Sequence, residues 1–140
     1  MTLLQVIKQL QKIALRQHNV RYVGEGDIYR DLNAQPSIKY DAFYITQNQH
    51  QSQGEFDRYS FNLFYVSRLE DEDAGNALQI QSIGKEIIDN VVELFCQQFD
   101  ADVYGVAYYQ PFIQRFSDLT AGMYCIITLE VAKDTICPDE

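Results

Sequence analysis

Residues 102–133 read DVYGVAYYQPFIQRFSDLTAGMYCIITLEVAK, and the way this stretch divides decides the fold. Two strand-like runs stand out, residues 103–109 and 123–131. In the second, Cys125, Ile127, Leu129 and Val131 fall on one side, with Tyr124, Ile126, Thr128 and Glu130 on the other. That is the two-residue period of a pleated strand. Between the runs, QPFIQRFSDLTAG is neither a tight turn nor a helix of ordinary length. It sets Phe112, Ile113, Phe116 and Leu119 beside Arg115 and Asp118. A merely solvated loop does not normally hold four large apolar groups, so this connector is expected to be covered, by the rest of the domain or by another copy of the chain.

Upstream, residues 80–99 carry Ile83, Ile87, Ile88, Val91, Val92, Leu94, Phe95 and Phe99, a wide apolar helical face with its start expected near Ser82. The β-branched residues lower intrinsic helix propensity, so this helix is expected to lie across a sheet that covers it. Residues 37–47 and 58–69 read as strands; Tyr59, Phe61, Leu63 and Tyr65 alternate with Ser60, Asn62, Phe64 and Val66. Between them QNQHQSQGEFD, residues 47–57, predicts a long hairpin with a projecting, mobile tip. Residues 2–17 form the first helix, with Leu3, Val6, Ile7, Leu10, Ile13 and Ala14 on one face and Thr2 with Gln5 in the form of a capping box. Lys8, Lys12 and Arg16 make a basic row on its other side, the pattern of a solvated face. Residues 20–36 hold Gly24, Gly26, Asn33 and Pro36, with a short strand and turn drawn from Tyr22, Val23, Ile28 and Tyr29. Residues 70–76 are an acidic turn, and residues 133–140 a loose tail. These elements predict a single domain over residues 1–140. Its fold class is α+β: an antiparallel, at most mixed, sheet of four or five strands with two helices packed on one face, in the order α-β-β-α-β-β.

The net charge is −9, and no run of Lys or Arg forms the basic patch that phosphate neutralisation needs, which disfavours free-standing nucleic-acid binding. Ten Tyr and eight Phe without Trp suit sheet packing and subunit interfaces alike. Cys96, Cys125 and Cys137 are too few and too widely spaced for a disulfide framework or a zinc motif, and a reducing cytoplasm fits them. No apolar run reaches membrane-spanning length, and no signal peptide is visible.

The chemistry-bearing residues do not assemble into a catalytic pattern. The paired carboxylates fall in turns, where they stay hydrated, whereas acid–base work needs a carboxyl with a shifted pKa in a cleft. His18 and His50 are the only histidines, and neither has further ligands at metal spacing. GxSxG, GxGxxG and P-loop spacings are absent, and the acidic run 70–73 lacks the order of a calcium loop. Arg115 and Asp118, three apart, read as a structural or interface pair. No catalytic, cofactor-binding or metal-ligating residue is assigned.

The order of elements resembles a known family. FNLFYVSRLEDEDAGNALQIQSIGKEIIDNVVELF, residues 61–95, resembles the central strand, polar turn and long helix of the tail terminator and tail-completion (head–tail joining) proteins of tailed bacteriophages. VYGVAYYQPFIQRFSDLTAGMYCIITLEV, residues 103–131, resembles their closing strand pair, and the N-terminal amphipathic helix matches as well. The string QRFSDLTAGMY is similar to tail or neck proteins of Bacteroidales phages and prophages, including crAss-like phages. Residues 20–36 align to no element of that family.

The resemblance implies a non-enzymatic virion component without a cofactor. It would form a homo-oligomeric ring, commonly a hexamer, that terminates the tail tube or joins it to the connector or neck proteins. It would be assembled in the host cytoplasm and located in the virion tail or neck, with no membrane involved. DNA would pass through its lumen without specific binding. Carried onto this chain, the resemblance makes residues 47–57, with Gln47, Gln49, Gln51 and Gln53, a projecting contact. Phe112, Gln114, Arg115, Phe116, Asp118 and Leu119 become an intersubunit or inter-ring contact, with Phe112, Phe116 and Leu119 packed beneath the connector. Two other classes stand beside this reading: a monomeric acidic adaptor or chaperone of another assembly, and a small-ligand protein or enzyme with an aromatic pocket drawn from Tyr104, Tyr108, Tyr109 or Tyr124.

Overall fold

The computed structural model describes residues 1–33, 40–69, 76–115 and 119–133. The expected acidic turn at 70–73, the tail from 134 with Cys137, and Phe116 and Asp118 lie outside them, as do the side chains of Gln114 and Arg115.

Helix α1, Leu3–Leu15, begins at a complete capping box: Thr2 Oγ1 accepts from the Gln5 amide, and Gln5 Oε1 accepts from the Thr2 amide. Two of the orphan donors at the helix start are thereby satisfied. Strand β1, Tyr22–Glu25, and the short helix α2, Ile28–Asn33, follow. Then come β2, Ala42–Gln47; β3, Gln51–Gln53; and β4, Phe56–Arg68. Helix α3, Ala77–Phe99, leads to β5, Asp102–Val103; β6, Tyr108–Arg115; and β7, Leu119–Ala132.

The fold-class expectation is corrected in three respects. Among the described residues the sheet has seven strands rather than four or five, the order is α-β-α-β-β-β-α-β-β-β, and a third helix, α2, packs its Ile28 on the face opposite α1 and α3. The sheet is mixed, because β1 runs parallel to β2 while the other pairings are antiparallel. Two strands escape the sequence pattern for physical reasons, whereas β1 and β2 fall within segments expected to hold strands. β3 is only three residues long, too short to show alternation, and lies beyond the end of β2. β6 absorbs most of the supposed irregular connector: Phe112 and Ile113 are adjacent, point to opposite faces, and cancel the period-two signal. Pro111 is tolerated in β6 because that strand pairs only with β7 and its outer side needs no ladder bond.

At the centre, β4 and β7 pair along their whole length, from Phe56 against Ala132 to Arg68 against Thr120. Phe61, Leu63, Ile127 and Leu129 from this pair are buried beneath α1 and α3, with Val6, Leu10, Ile88, Val91 and Phe95 above them. Each fully buried side chain of this kind contributes roughly 1.5–3 kcal/mol. α1 sits over the β1–β2 side and α3 over β4, β7 and β6. The opposite face carries a smaller cluster, Ile28 of α2 with Tyr44, Phe64 and Val66, against which Tyr40, Phe112 and Tyr124 pack.

Candidate assembly surfaces

Both flanks of the central pair are broken at the same level. On one side, residues 48–50 stand opposite only Tyr59 and Ser60, so the β2–β3 edge carries one extra residue, a β-bulge. On the other, residues 104–107 stand opposite only Ile127 and Thr128, two extra residues between β5 and β6. Ser60 and Thr128 face each other across the centre. Gly105 sits at φ 75° in the second break, a conformation that a residue with a Cβ rarely adopts.

The first break is healed from within. The Asn48 amide donates to Ser60 O at 2.8 Å, and the Ser60 amide donates to His50 Nδ1 at 3.1 Å. Because Nδ1 accepts, the ring proton resides on Nε2, which donates to Gln47 Oε1 at 3.1 Å. Gln47 in turn donates to Glu25 at 3.0 Å. The His50 ring stands edge-on to Tyr59 and Phe61, and loss of solvent there lowers its pKa. His50 therefore closes a gap in the ladder rather than riding on an exposed tip. The tip itself is a two-residue turn, Gly54 and Glu55, whose Glu55 carbonyl accepts from the Lys133 amide at 2.8 Å.

The second break is held by one hydrogen bond from the Tyr104 amide to Thr128 O, at 2.9 Å. Its apolar side chains point outward: Val103, Tyr104, Val106 and Tyr108 are all exposed, Val106 by 65% and Tyr108 by 64%. One network ties β3 to the second break. Arg58 Nε donates to Glu130 at 2.8 Å, its Nη1 donates to Gln53 Oε1 at 2.6 Å, and its guanidinium lies 3.7 Å from the centre of the Tyr104 ring. The planar, forked guanidinium makes all three contacts at once.

The residues expected to form contacts divide between opposite ends of the sheet. The β3–β4 turn lies at the start of β4, and the end of β6 with the start of β7 lies beside its far end. Thirteen residues of strand separate them, about 40 Å at ~3.3 Å per residue. The two groups cannot belong to one patch. Gln47 and Gln53 are engaged within the molecule, whereas Gln49 and Gln51 line an open groove of 260 Å³ with Arg58 and Tyr104. Phe112 and Leu119 do not pack together beneath a connector. Phe112 lies on the outer face against Phe64 and Tyr124, while Leu119 packs against the main core. Phe112 also covers Gly122 across the strand pair: a Cβ on Gly122 would fall 2.7 Å from its ring and 2.0 Å from Tyr65 O, so only glycine fits there.

The four tyrosines weighed as a pocket are dispersed. Tyr109 faces the helices, Tyr108 and Tyr124 lie on the other face, and Tyr104 stands in the second break. Tyr109 belongs to a cluster that escaped sequence reading, although the i,i+4 pair Lys85–Asp89 was a signal for part of it. Its hydroxyl donates to Asp89, whose other oxygen accepts from Lys85 Nζ at 2.7 Å, and Lys85 Nζ lies 4.5 Å from the Tyr109 ring centre. Burial, then the bond to Asp89, pushes the Tyr109 pKa far up. Cys125 beneath it is sealed, and burial pushes its thiol up to about 11. Both groups stay protonated near neutrality, so the cluster presents no ready nucleophile and fastens β6 to α3. Cys96 is also shifted upward, by burial and then by Asp102. Among the described residues no group of three or more His, Cys, Asp and Glu could hold a metal ion, and no helix is long and apolar enough to cross a membrane.

No protein-family model matches this chain, and no curated protein matches it.

Proposed function

We propose that this chain is a structural component of a phage or prophage tail or neck, a subunit of a ring that terminates the tail tube or joins it to the head connector. The reading rests on the resemblance of residues 61–95 and 103–131 to tail terminator and tail-completion proteins. The observation that supports it best is the β5–β6 edge. A broken strand with Val103, Tyr104, Val106 and Tyr108 exposed in sequence is a surface that a partner chain would cover. A hexameric ring is the stoichiometry this reading favours, with the β3–β4 turn and the opposite end of the β6–β7 pair, about 40 Å apart, directed at different neighbours along the tail. The acidic balance of the chain suits a lumen through which DNA slides without sticking.

The test is co-assembly. Purified chain is mixed with tail-tube and connector proteins from the genome that encodes it and imaged by negative stain. Rings capping tube ends are the expected result. A chain that stays monomeric at high concentration and binds neither protein would remove this reading.

A further inference from the structure

The basic residues of this acidic chain are concentrated at its N-terminal helix. Four of its eleven Lys and Arg fall in the first 24 residues, where there is no Asp or Glu, and the remaining seven share the rest of the chain with all twenty acids. Lys8 and Lys12 of α1 and Arg16 at its C-cap are exposed, and among the described residues none of them makes an ion pair. They alternate with two exposed leucines, Leu4 at 65% and Leu15 at 49%. Leu4, Lys8, Lys12 and Leu15 recur at helical spacing and form one basic, apolar stripe opposite the buried face.

The other flank is its complement. Between α3 and the β5–β6 edge runs a groove of 690 Å³ floored by Val92, Ala107 and Ile127. Its rim is acidic: Asp89 and Glu93 lie one turn apart on α3, Asp100 caps the C-terminus of that helix, and Asp102 stands on β5. Among the described residues no Lys or Arg lines it, and of the four acids only Asp89 pairs with a cation, Lys85. The rim from Asp89 to Asp100 and the stripe from Leu4 to Leu15 each span eleven residue steps, about 16 Å at ~1.5 Å per residue.

α1 lies over the β1–β2 side of the sheet, and the groove lies along the opposite, β5–β6 edge. A surface on one flank that complements a surface on the other pairs head to tail, and such heterologous contacts give a ring when the rotation between copies closes. We infer that the acidic groove of one copy receives the basic α1 stripe of the next, and that this contact is the joint of the ring. The inference rests on the ring reading above.

Two charge-reversed variants test it: Lys8→Glu with Lys12→Glu on the stripe, and Glu93→Lys with Asp102→Lys in the groove. Each is followed by sedimentation velocity at low ionic strength, alone and in equimolar mixture, with circular dichroism confirming the fold. Each alone is expected to assemble at least roughly tenfold more weakly than wild type. The mixture is expected to recover assembly, because each variant then finds its opposite charge. Should a reversed variant fail to fold, Lys8→Gln with Lys12→Gln replaces it, together with a salt titration of the wild type. Raising salt from about 0.05 M to about 0.5 M is expected to weaken assembly roughly tenfold, by screening. Wild-type rings indifferent to salt, variants that assemble normally alone, or folded variants that fail to recover on mixing would overturn the joint while leaving the ring. A wild type that never associates would overturn both.

Discussion

The two breaks beside the central strand pair start from the same defect and end differently. At residues 48–50 one extra residue is accommodated by a polar ring turned inward, and His50 takes the place of the missing carbonyl for Ser60. At residues 104–107 two extra residues are accommodated by a glycine at positive φ, and the apolar side chains turn outward. One break is closed from within the molecule; the other leaves its apolar side chains exposed. An interrupted edge can thus serve stability or association, and the side chains at the break decide which.

The comparison assumes that β4 and β7 stand independently of either edge. Replacing Phe61, fully buried in β4 beneath both helices, with Ala should be the largest effect, about 3–5 kcal/mol by urea unfolding. A loss below ~1 kcal/mol would mean that the edges carry the fold and the comparison fails. Next comes the tie from β3 to the second break. Arg58→Ala leaves Glu130 partly buried without its cation and should cost about 1–3 kcal/mol. Arg58→Lys should restore only part of this, because an ammonium cannot serve Glu130, Gln53 and the Tyr104 ring together.

The healed break carries a pH signature. A histidine whose pKa falls on folding binds its proton more readily in the unfolded chain. Its contribution is therefore complete above the ordinary value of 6.5 and is lost as pH drops from there through the lowered value. His50→Ala should cost about 1 kcal/mol at pH 7.5 and should flatten the decline in stability between pH 6.5 and 5. An unchanged pH profile in the variant would remove the closing role of His50. At the open break, Val106→Ser with Tyr108→Ser should change monomer stability by no more than ~0.5 kcal/mol while weakening association. A large loss of monomer stability would show this edge to be closed from within as well.

What was legible in the sequence follows the same division. α1 was readable because its period and its capping box are local. β4 and β7 were readable because one face of each is buried along most of its length. α3 begins at Ala77, earlier than expected, since Asn76 makes no side-chain capping bond that would mark its start. β6 and the breaks were not readable. An edge strand with apolar groups on both faces loses its alternation, and a bulge is a property of register between strands distant in sequence. The concentration of basic residues at the N-terminal helix was visible in the sequence, but it gained meaning only when the sheet order placed α1 and the α3–β5 groove on opposite flanks.

The central claim is that one edge is completed by another copy, and native mass spectrometry of the wild-type chain at low ionic strength tests it most directly. The account predicts a single closed oligomer, a hexamer, in equilibrium with monomer. A strictly monomeric spectrum at high concentration, or an open-ended ladder with no favoured size, would contradict it.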